Sequence, residues 1–272
     1  MSTEREQDGV VCLTGDVHED DVRRDDVAAV PESEISLSER LAEIARGYDI
    51  ELTLFVEGRV CVRRPQRVAD LAATPGVEIG GHTYSSFMPR WVHRPFRLMF
   101  GTEYGPARYQ RHDIDRTLDV LESTTGTQVL SWRTHAYDSN CATRKALNRT
   151  SVEVISDRVT PPTDIGPVRN AGLVELPVNT LRDDGYLRVS TRSDDLVNGD
   201  WFDDRMYDPD EWLSKVCEQT ESIVELGGVA TIQAHPIYMY AADGFEVFEG
   251  LCQWLADRDI ETRCCHTIHD HL

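Results

Sequence analysis

The feature that most constrains this chain is the recurrence of short apolar runs of strand length between amphipathic segments. The runs lie at residues 10–14, 51–56, 77–80, 128–132, 152–155, 173–178, 229–233 and 259–263. Such runs are typical of parallel strands that are buried on both faces. Residues 107–124 and 209–226 carry helical patterns, the second beginning after Asp208 and ending at Gly227 and Gly228. The alternation predicts a series of βα units.

Seven or eight such units in 272 residues favour a closed or nearly closed α/β barrel, and residues 1–272 are expected to form a single domain. An open doubly wound sheet would more often show a glycine-rich first turn, and the sequence contains no GxGxxG motif. Long polar stretches at 19–34, 87–103 and 182–207 are predicted to be loops over one mouth of the barrel, where active sites of such folds lie.

The charge balance excludes several kinds of partner. The formal net charge is −20, from 48 acidic and 28 basic residues, and the only lysines are Lys145 and Lys215. A surface this acidic repels nucleic acid and anionic lipid, so neither is expected as a partner. Lysine depletion beside abundant arginine indicates a protein adapted to high salt, although an acidic mesophilic enzyme remains the alternative. No apolar run has the length of a membrane helix and residues 1–10 do not resemble a signal peptide, which predicts a cytoplasmic protein.

Polar clusters follow four of the predicted strands, at residues 14–18, 80–86, 132–137 and 232–236, and each contains a histidine. Carboxyl ends of parallel strands meet at one edge of the fold, where ligands bind. A single histidine at a strand end is more simply explained as a hydrogen-bonding loop residue, but four together favour a site. Asp16, His18 and His82 offer a mixed nitrogen and oxygen set that suits zinc or another divalent transition metal.

In this order, the clusters resemble the motifs of polysaccharide deacetylases, also called NodB-homology proteins or family 4 carbohydrate esterases. The segment Thr-Gly-Asp-Val-His at 14–18 resembles the family's TFDDG-type motif, and residues 51–58 resemble its second strand. Residues 77–85, Val-Glu-Ile-Gly-Gly-His-Thr-Tyr-Ser, resemble its metal-binding motif. Residues 133–137 and 232–236 resemble its third and closing motifs. We therefore identify the chain as a member of this superfamily, from a haloarchaeon.

The resemblance implies a fold and a set of roles. The fold is a distorted (β/α)7 barrel. Asp16 is implied as the general base that activates the attacking water, His82 as a metal ligand and His235 as the general acid. Arg133 would hold Asp16 in place, and the backbone N–H near Tyr137 would stabilise the oxyanion of the tetrahedral intermediate. The implied cofactor is a divalent metal, zinc in the first place, with cobalt or nickel as alternatives.

The sequence departs from the family pattern at three positions around the implied metal. Ser86 replaces the second histidine of the metal motif, His18 stands for the second acid of the first motif, and His135 replaces the proline of the third. One hypothesis is that His18 takes over the ligand role of the acid, that Ser86 coordinates weakly or through water, and that His135 is a compensating ligand. The simpler interpretation of His135 is a loop residue.

The family's acid that orients the catalytic histidine is not found at the expected spacing. Glu175 is a candidate partner for His235, and a strand-end carboxylate facing solvent is an equally good interpretation of that residue.

Three functions are compatible with these residues. The leading one is removal of the acetyl group from an N-acetylated sugar or glycan precursor by hydrolysis of a C–N amide bond. Hydrolysis of a cyclic amide, as in the allantoinase-like branch of the superfamily, is the second. The third is a catalytically inactive protein that keeps the fold as a glycan-binding or scaffolding module, for which Ser86 and His18 are the argument.

Overall fold

A curled sheet of eight strands forms the centre of the molecule. The computed structural model describes residues 9–19, 27, 30–189, 201–202 and 205–271. In chain order the strands are β1 (Val10–Val17), β2 (Leu52–Val56), β3 (Val77–Gly81), β4 (Ser131–Trp132), β5 (Val154–Ile155), β6 (Val168–Asn170), β7 (Leu173–Glu175) and β8 (Val229–Gln233). Their spatial order is β6-β7-β5-β4-β3-β2-β1-β8. All neighbouring pairs are parallel except β6 and β7. The predicted distorted barrel of the deacetylase type is confirmed, as a curled half-barrel.

On the open side of the half-barrel, between the edge strands β6 and β8, the segment that follows β7 bonds to β8 through side chains instead of through a strand ladder. The Asn179 side chain donates to the Val229 carbonyl at 2.9 Å and accepts from the Thr231 N–H at 2.8 Å. The Thr180 hydroxyl donates to the Thr231 carbonyl at 3.0 Å. Because these polar groups are buried, the bonds satisfy backbone groups that would otherwise be unpaired. The distortion of the barrel is thus located on this side.

Helices cover the outer face of the sheet. They are α1 (Glu34–Gly47), α2 (Gly58–Arg63), α3 (Pro65–Ala72), α4 (Arg90–Phe100), α5 (Ala107–Thr125), α6 (Cys141–Leu147), α7 (Asp183–Tyr186), α8 (Pro209–Glu225), α9 (Pro236–Asp243) and α10 (Glu246–Asp257). The two predicted helices are confirmed as α5 and α8. A capping box between Asp208 and Glu211, with Pro209 in the first turn, begins α8 as the sequence indicates. In the described ranges, no helix combines the length and apolar composition needed to cross a bilayer.

Alternation along β1 divides its side chains between two environments. Val11, Leu13 and Val17 belong to the large core between sheet and helices, whereas Val10 and Cys12 belong to a smaller core inside the curl. Because side chains alternate along a strand, Asp16 shares the inner face with Val10 and Cys12. The strand therefore carries a carboxylate into the mouth of the barrel.

Three elements differ from the sequence prediction. The run at 259–263 is not a strand, because only Thr262 bridges to β1, at Val11. The antiparallel strand β6 was not predicted, since its exposed residues carry no apolar signal. The predicted loop at 87–103 contains the helix α4. Its side chains give no aliphatic stripe, because α4 buries His93 and exposes Trp91 and Leu98.

The other two predicted mouth loops are only partly described. Glu34, at the end of the 19–34 stretch, is the first residue of α1, and residues 20–26 and 28–29 lie outside the described residues. The 182–207 stretch contains the short helix α7, and residues 190–200 and 203–204 lie outside the described residues.

Gly81 permits the close packing that places His82 at the barrel mouth. A Cβ built at Gly81 would lie 2.5 Å and 2.7 Å from ring atoms of Trp132, which is fully buried. We predict that Gly81→Ala destabilises the protein by about 1–3 kcal/mol, because the ring has no space into which to move. Chemical denaturation measures this change in the free energy of unfolding.

Gly47→Ala is the matched control. A Cβ at Gly47, at the end of α1, meets nothing within 4 Å, so this change should leave stability equal or raise it by up to about 1 kcal/mol. Equal stabilities of the two variants would contradict the packing argument.

Candidate active site

A buried ion pair between Arg133 and Asp16 lies at the base of the barrel mouth. Arg133 follows β4 and its guanidinium donates to Asp16 Oδ1 at 3.0 Å and to the Thr14 hydroxyl at 3.0 Å. It also donates to the Ser156 hydroxyl at 2.9 Å and lies over the Phe55 ring at 4.4 Å. Arg133 is fully buried and Asp16 nearly so. The guanidinium therefore fixes one oxygen of the carboxylate and leaves the other, Oδ2, toward the cavity.

His235 follows β8 and is held by an acid that the sequence analysis missed. His235 Nδ1 lies 2.8 Å from Asp183 Oδ1, and the His235 backbone N–H donates to the other oxygen of the same carboxylate. The prediction that Glu175 orients His235 is wrong, because Glu175 forms an ion pair with Arg144 at 2.7 Å. The signal for Asp183 was weak, because this residue comes five positions after the apolar run at 173–178, at the start of a stretch that looked like a loop.

Three histidines converge beside Asp16. His18 Nε2 lies 3.1 Å from His82 Nε2, and His82 Nε2 lies 3.3 Å from His135 Nδ1. One donor atom of each of the three lies within 4.8 Å of the others. Asp16 Oδ2 is 3.8 Å from His82 Nε2 and 3.4 Å from His235 Nε2. The structure thus brings together all four histidines that the sequence placed after strands.

Glu34, the first residue of α1, orients His18. Its carboxylate accepts the His18 backbone N–H at 3.1 Å and lies 3.4 Å from His18 Nδ1. A carboxylate beside Nδ1 favours a proton on that nitrogen, which leaves Nε2 with a lone pair directed at His82. Glu34 was not identified from the sequence because it stands at a helix start, where acids are common.

Ser86 reaches the same cavity by a strained turn. It lines the cavity with His18 and His135 and has a φ of 46°. Its Oγ is buried without a hydrogen-bond partner among the described residues. A buried hydroxyl without a partner is unfavourable, so a ligand or water at this point would relieve it.

Tyr137 has a different place from the one expected. Its backbone N–H donates to the Thr134 carbonyl at 2.9 Å within a 3-10 turn, so this N–H is not directed at a substrate. The Tyr137 N–H itself is therefore not available for the oxyanion role expected of a backbone N–H near this residue. Instead the phenol donates to Gln233 Oε1 at 2.6 Å, and the Gln233 amide lies 3.4 Å from Asp16 Oδ2. Tyr137 and Gln233 thereby help to position the carboxylate.

The local electrostatics give Asp16, His82 and His235 different protonation states. Burial alone would raise the pKa of Asp16, but the neighbouring His82 and Arg133 outweigh it and hold this pKa well below its ordinary value. Burial lowers the pKa of His82 to about 3, so its imidazole is neutral at pH 7. For His235 burial also acts to lower the pKa, but Asp183 and Asp16 raise it well above its ordinary value. The site therefore holds an ionised carboxylate, a neutral imidazole and an imidazolium together.

A cavity of about 490 Å3 opens above these groups. This volume lies within the range of about 300–1,000 Å3 that is typical of small-molecule sites. Asp16, His18, His135 and His235 lie along its wall, together with Tyr137. The reactive groups are therefore accessible from one enclosed space.

The three converging histidines fit a divalent metal. Ligand atoms about 2.0–2.1 Å from a tetrahedral zinc lie roughly 3.3 Å from one another, close to the 3.1 Å and 3.3 Å nitrogen separations found here. A neutral His82 and a Glu34-oriented His18 present lone pairs, as metal ligands must. His18, His82 and His135 would hold the metal, with Ser86 Oγ nearby and Asp16 as a carboxylate neighbour.

A second group of donors lies toward the amino-terminal ends of the strands. Glu78, Cys264 and His266 each offer an atom within 4.8 Å of the others. Here the Glu78 carboxylate already accepts from the Thr53 hydroxyl at 2.8 Å and the Ser131 hydroxyl at 2.6 Å, and it pairs with His266 at 3.3 Å. These bonds account for the buried acid, so we assign this group a structural role.

Comparison with known families agrees with this geometry. The profile of the polysaccharide deacetylase family matches residues 25–155, a little under half of the chain. The matched region contains His82, Ser86, Arg133 and His135, whereas Asp16 and His235 lie outside it. A search of curated proteins gives no match. Over the matched region the chain is therefore similar to polysaccharide deacetylases.

Solved structures share the fold at low sequence identity. A polysaccharide deacetylase from Mycobacterium smegmatis, described as putative, superposes with a TM-score of 0.72 at 18% identity, over 99% of this chain and 93% of its own. The PuuE allantoinase gives 0.71 at 13% identity, over 98% and 91%. A family 4 pseudoenzyme from Bacillus anthracis gives 0.59 at 13% identity, over 98% and 67%. At such identities the likeness shows the fold, which active and inactive proteins share.

We predict that the protein binds about one equivalent of zinc or cobalt and that His18→Ala, His82→Ala and His135→Ala each weaken binding strongly, because each removes a nitrogen ligand. Metal analysis after dialysis measures the stoichiometry. His112→Ala, an exposed histidine on α5, and Cys264→Ser should retain the metal. Retention by His18→Ala would exclude His18 as a ligand, and loss in Cys264→Ser would place the metal at the other group.

We predict that Asp183→Asn lowers the pKa of His235, because it removes the carboxylate that favours the imidazolium. Protonated His235 stabilises the folded state, and this contribution is complete at low pH and is lost as the pH rises through the pKa of His235 in the folded protein. The variant should therefore lose this stabilisation at a lower pH than the wild type. NMR titration of the His235 ring protons measures the change. Asp115→Asn, on the exposed face of α5, is the control. Equal His235 titrations in Asp183→Asn and wild type would contradict the assignment.

Proposed function

We propose that this protein is a metal-dependent hydrolase of C–N amide bonds that removes the acetyl group from an N-acetylated sugar or glycan precursor. We further propose that residues 1–272 form one domain and that the metal is zinc, with cobalt or nickel as alternatives. One observation carries it: an ionised carboxylate, an imidazolium and three converging imidazoles share the wall of one cavity. The family match over residues 25–155 supports the reaction class, amide hydrolysis.

Asp16 is suited to act as the general base. Its low pKa keeps it ionised, and Arg133 and Gln233 hold the carboxylate so that Oδ2 faces the cavity. A carboxylate that is fixed in this way can take a proton from an attacking water without first reorganising. A bound divalent cation would supply Lewis acidity to polarise the amide carbonyl and acidify water.

His235 is suited to act as the general acid. Its raised pKa keeps it protonated near neutral pH, and Asp183 fixes the ring. The proton that Asp16 takes from water and the proton that His235 gives to the leaving nitrogen balance, and the products are a free amine and acetic acid, which releases its proton to solvent as acetate. Since Asp16 Oδ2 and His235 Nε2 are 3.4 Å apart, the proton on Asp16 can return to His235 within the site after turnover. The pair is then ready for the next substrate.

Two other functions remain as outcomes of the test. The allantoinase among the structural neighbours favours a cyclic amide as an alternative substrate. The pseudoenzyme from Bacillus anthracis shows that the fold occurs without activity, and a mutant of it is described as having restored enzymatic activity. Here the base, the acid and a converging donor set are all present, which favours the enzyme.

The acidic composition bears on the salt concentration in which the protein works. With a net charge of −20 and two lysines, we propose that the protein functions in the salty cytoplasm of a haloarchaeon. High salt would screen the repulsion among its acids.

Acetate release from N-acetylglucosamine and its oligomers by the zinc-loaded protein, in molar salt, tests the proposal. Asp16→Asn and His235→Gln should each lower kcat by about 10²–10⁴-fold, because each removes one proton-transfer group. Both variants should keep the metal, which separates loss of chemistry from loss of the site.

Turnover of allantoin without acetate release from any sugar would replace the proposed substrate with a cyclic amide. Absence of both activities in protein that is fully metal-loaded would contradict the hydrolase and favour a glycan-binding module.

A further inference from the structure

The helix α4 directs arginines at the mouth of the catalytic cavity. Arg90, Arg94 and Arg97 all line this cavity. Their spacing of four and three residues places them on one face of the helix. The reactive groups Asp16 and His235 are buried, whereas the three arginines are exposed, so the arginines form the outer rim. A substrate whose amide reaches Asp16 must pass this rim.

The acids that line the cavity already have basic partners. The pairs are Asp16 with Arg133 at 3.0 Å, Glu34 with His18 at 3.4 Å, Glu103 with Arg97 at 3.2 Å and Asp184 with Arg182 at 3.5 Å. Within the described residues, Arg90 and Arg94 have no acidic partner. Two positive charges at the rim are therefore uncompensated by the described part of the chain, in a sequence with 48 acids and only 28 basic residues.

We propose that this rim binds an anionic group on the substrate, and that the substrate is a phosphorylated N-acetyl sugar. The inference rests on the proposed function and specifies its substrate class. A guanidinium forms paired hydrogen bonds to phosphate oxygens, and two guanidiniums match the charge of a phosphate ester dianion. Because the protein as a whole repels anions, an anionic substrate needs local positive charge to bind. Arg90 and Arg94 supply it at the entrance, while the amide lies below.

The test compares N-acetylglucosamine with its 1-phosphate and 6-phosphate esters on the zinc-loaded enzyme. We expect a higher kcat/KM for at least one ester. The double variant Arg90→Gln/Arg94→Gln should lower the ratio of kcat/KM for the ester to that for the neutral sugar by roughly 10- to 100-fold. Arg149→Gln, an exposed arginine away from the cavity, should keep the wild-type ratio. Added salt should lower the ratio in wild type more than in the double variant.

The outcomes separate this inference from the proposed function. Hydrolysis of the neutral sugar with no preference for either ester, or an equal preference in wild type and the double variant, overturns the inference and leaves the hydrolase intact. If no sugar is hydrolysed, calorimetric titration of N-acetylglucosamine 6-phosphate and 1-phosphate into the protein tests whether the rim binds an anionic sugar. If the wild type binds an ester and the double variant does not, the anion-binding rim is supported and only the hydrolase function is overturned. If the wild type binds neither ester, the rim and the hydrolase function are both overturned.

Discussion

The buried ion pair between Arg133 and Asp16 is the interaction on which the rest of the site depends. Arg133 leaves the end of β4 and reaches across the inside of the curl to Thr14 and Asp16 on β1, with the two strands β3 and β2 lying between them in the sheet. Removing either partner of such a pair would leave an uncompensated buried charge, at a cost of about 3–5 kcal/mol. The pair can exist only because the sheet curls enough to bring β4 and β1 within reach of one side chain. Fold and chemistry are linked at this contact.

Two of the four histidines are in turn fixed by a carboxylate from a different element. Glu34 at the start of α1 orients His18, and Asp183 in α7 orients His235. Among the described residues no comparable carboxylate orients His82, and its burial keeps it neutral. His235, which must carry a proton, is therefore paired with an acid, whereas His82, which must offer a lone pair, is surrounded by other rings. Differences in environment assign different tasks to chemically identical side chains.

The sequence predicted the parts of the fold that depend on local pattern. Buried parallel strands leave uninterrupted apolar runs, so β1, β2, β3 and β8 were found close to their observed bounds. Exposed β6 and the arginine-rich α4 were missed because neither has an apolar stripe. The run at 259–263 was mistaken for a strand: Ile260 is its one apolar residue, and only Thr262 bridges to β1.

For the candidate site, too, the sequence predicted only what depends on local pattern. Residues at strand ends, such as Asp16, His82 and His235, were identifiable because the ends of parallel strands converge. Asp183 was not, because only the tertiary fold brings it to His235, 52 residues away in the chain. The bonding of the Tyr137 N–H within its own turn depends on backbone angles that no spacing reveals.

X-ray absorption spectroscopy of the zinc-loaded protein tests most directly whether three imidazoles hold a divalent metal beside Asp16. We expect about three imidazole nitrogens at roughly 2.0–2.1 Å from the zinc, with further light atoms and no sulfur. A sulfur neighbour at about 2.3 Å would instead place the zinc with Cys264 at the amino-terminal end of the strands, and would contradict a metal site formed by His18, His82 and His135.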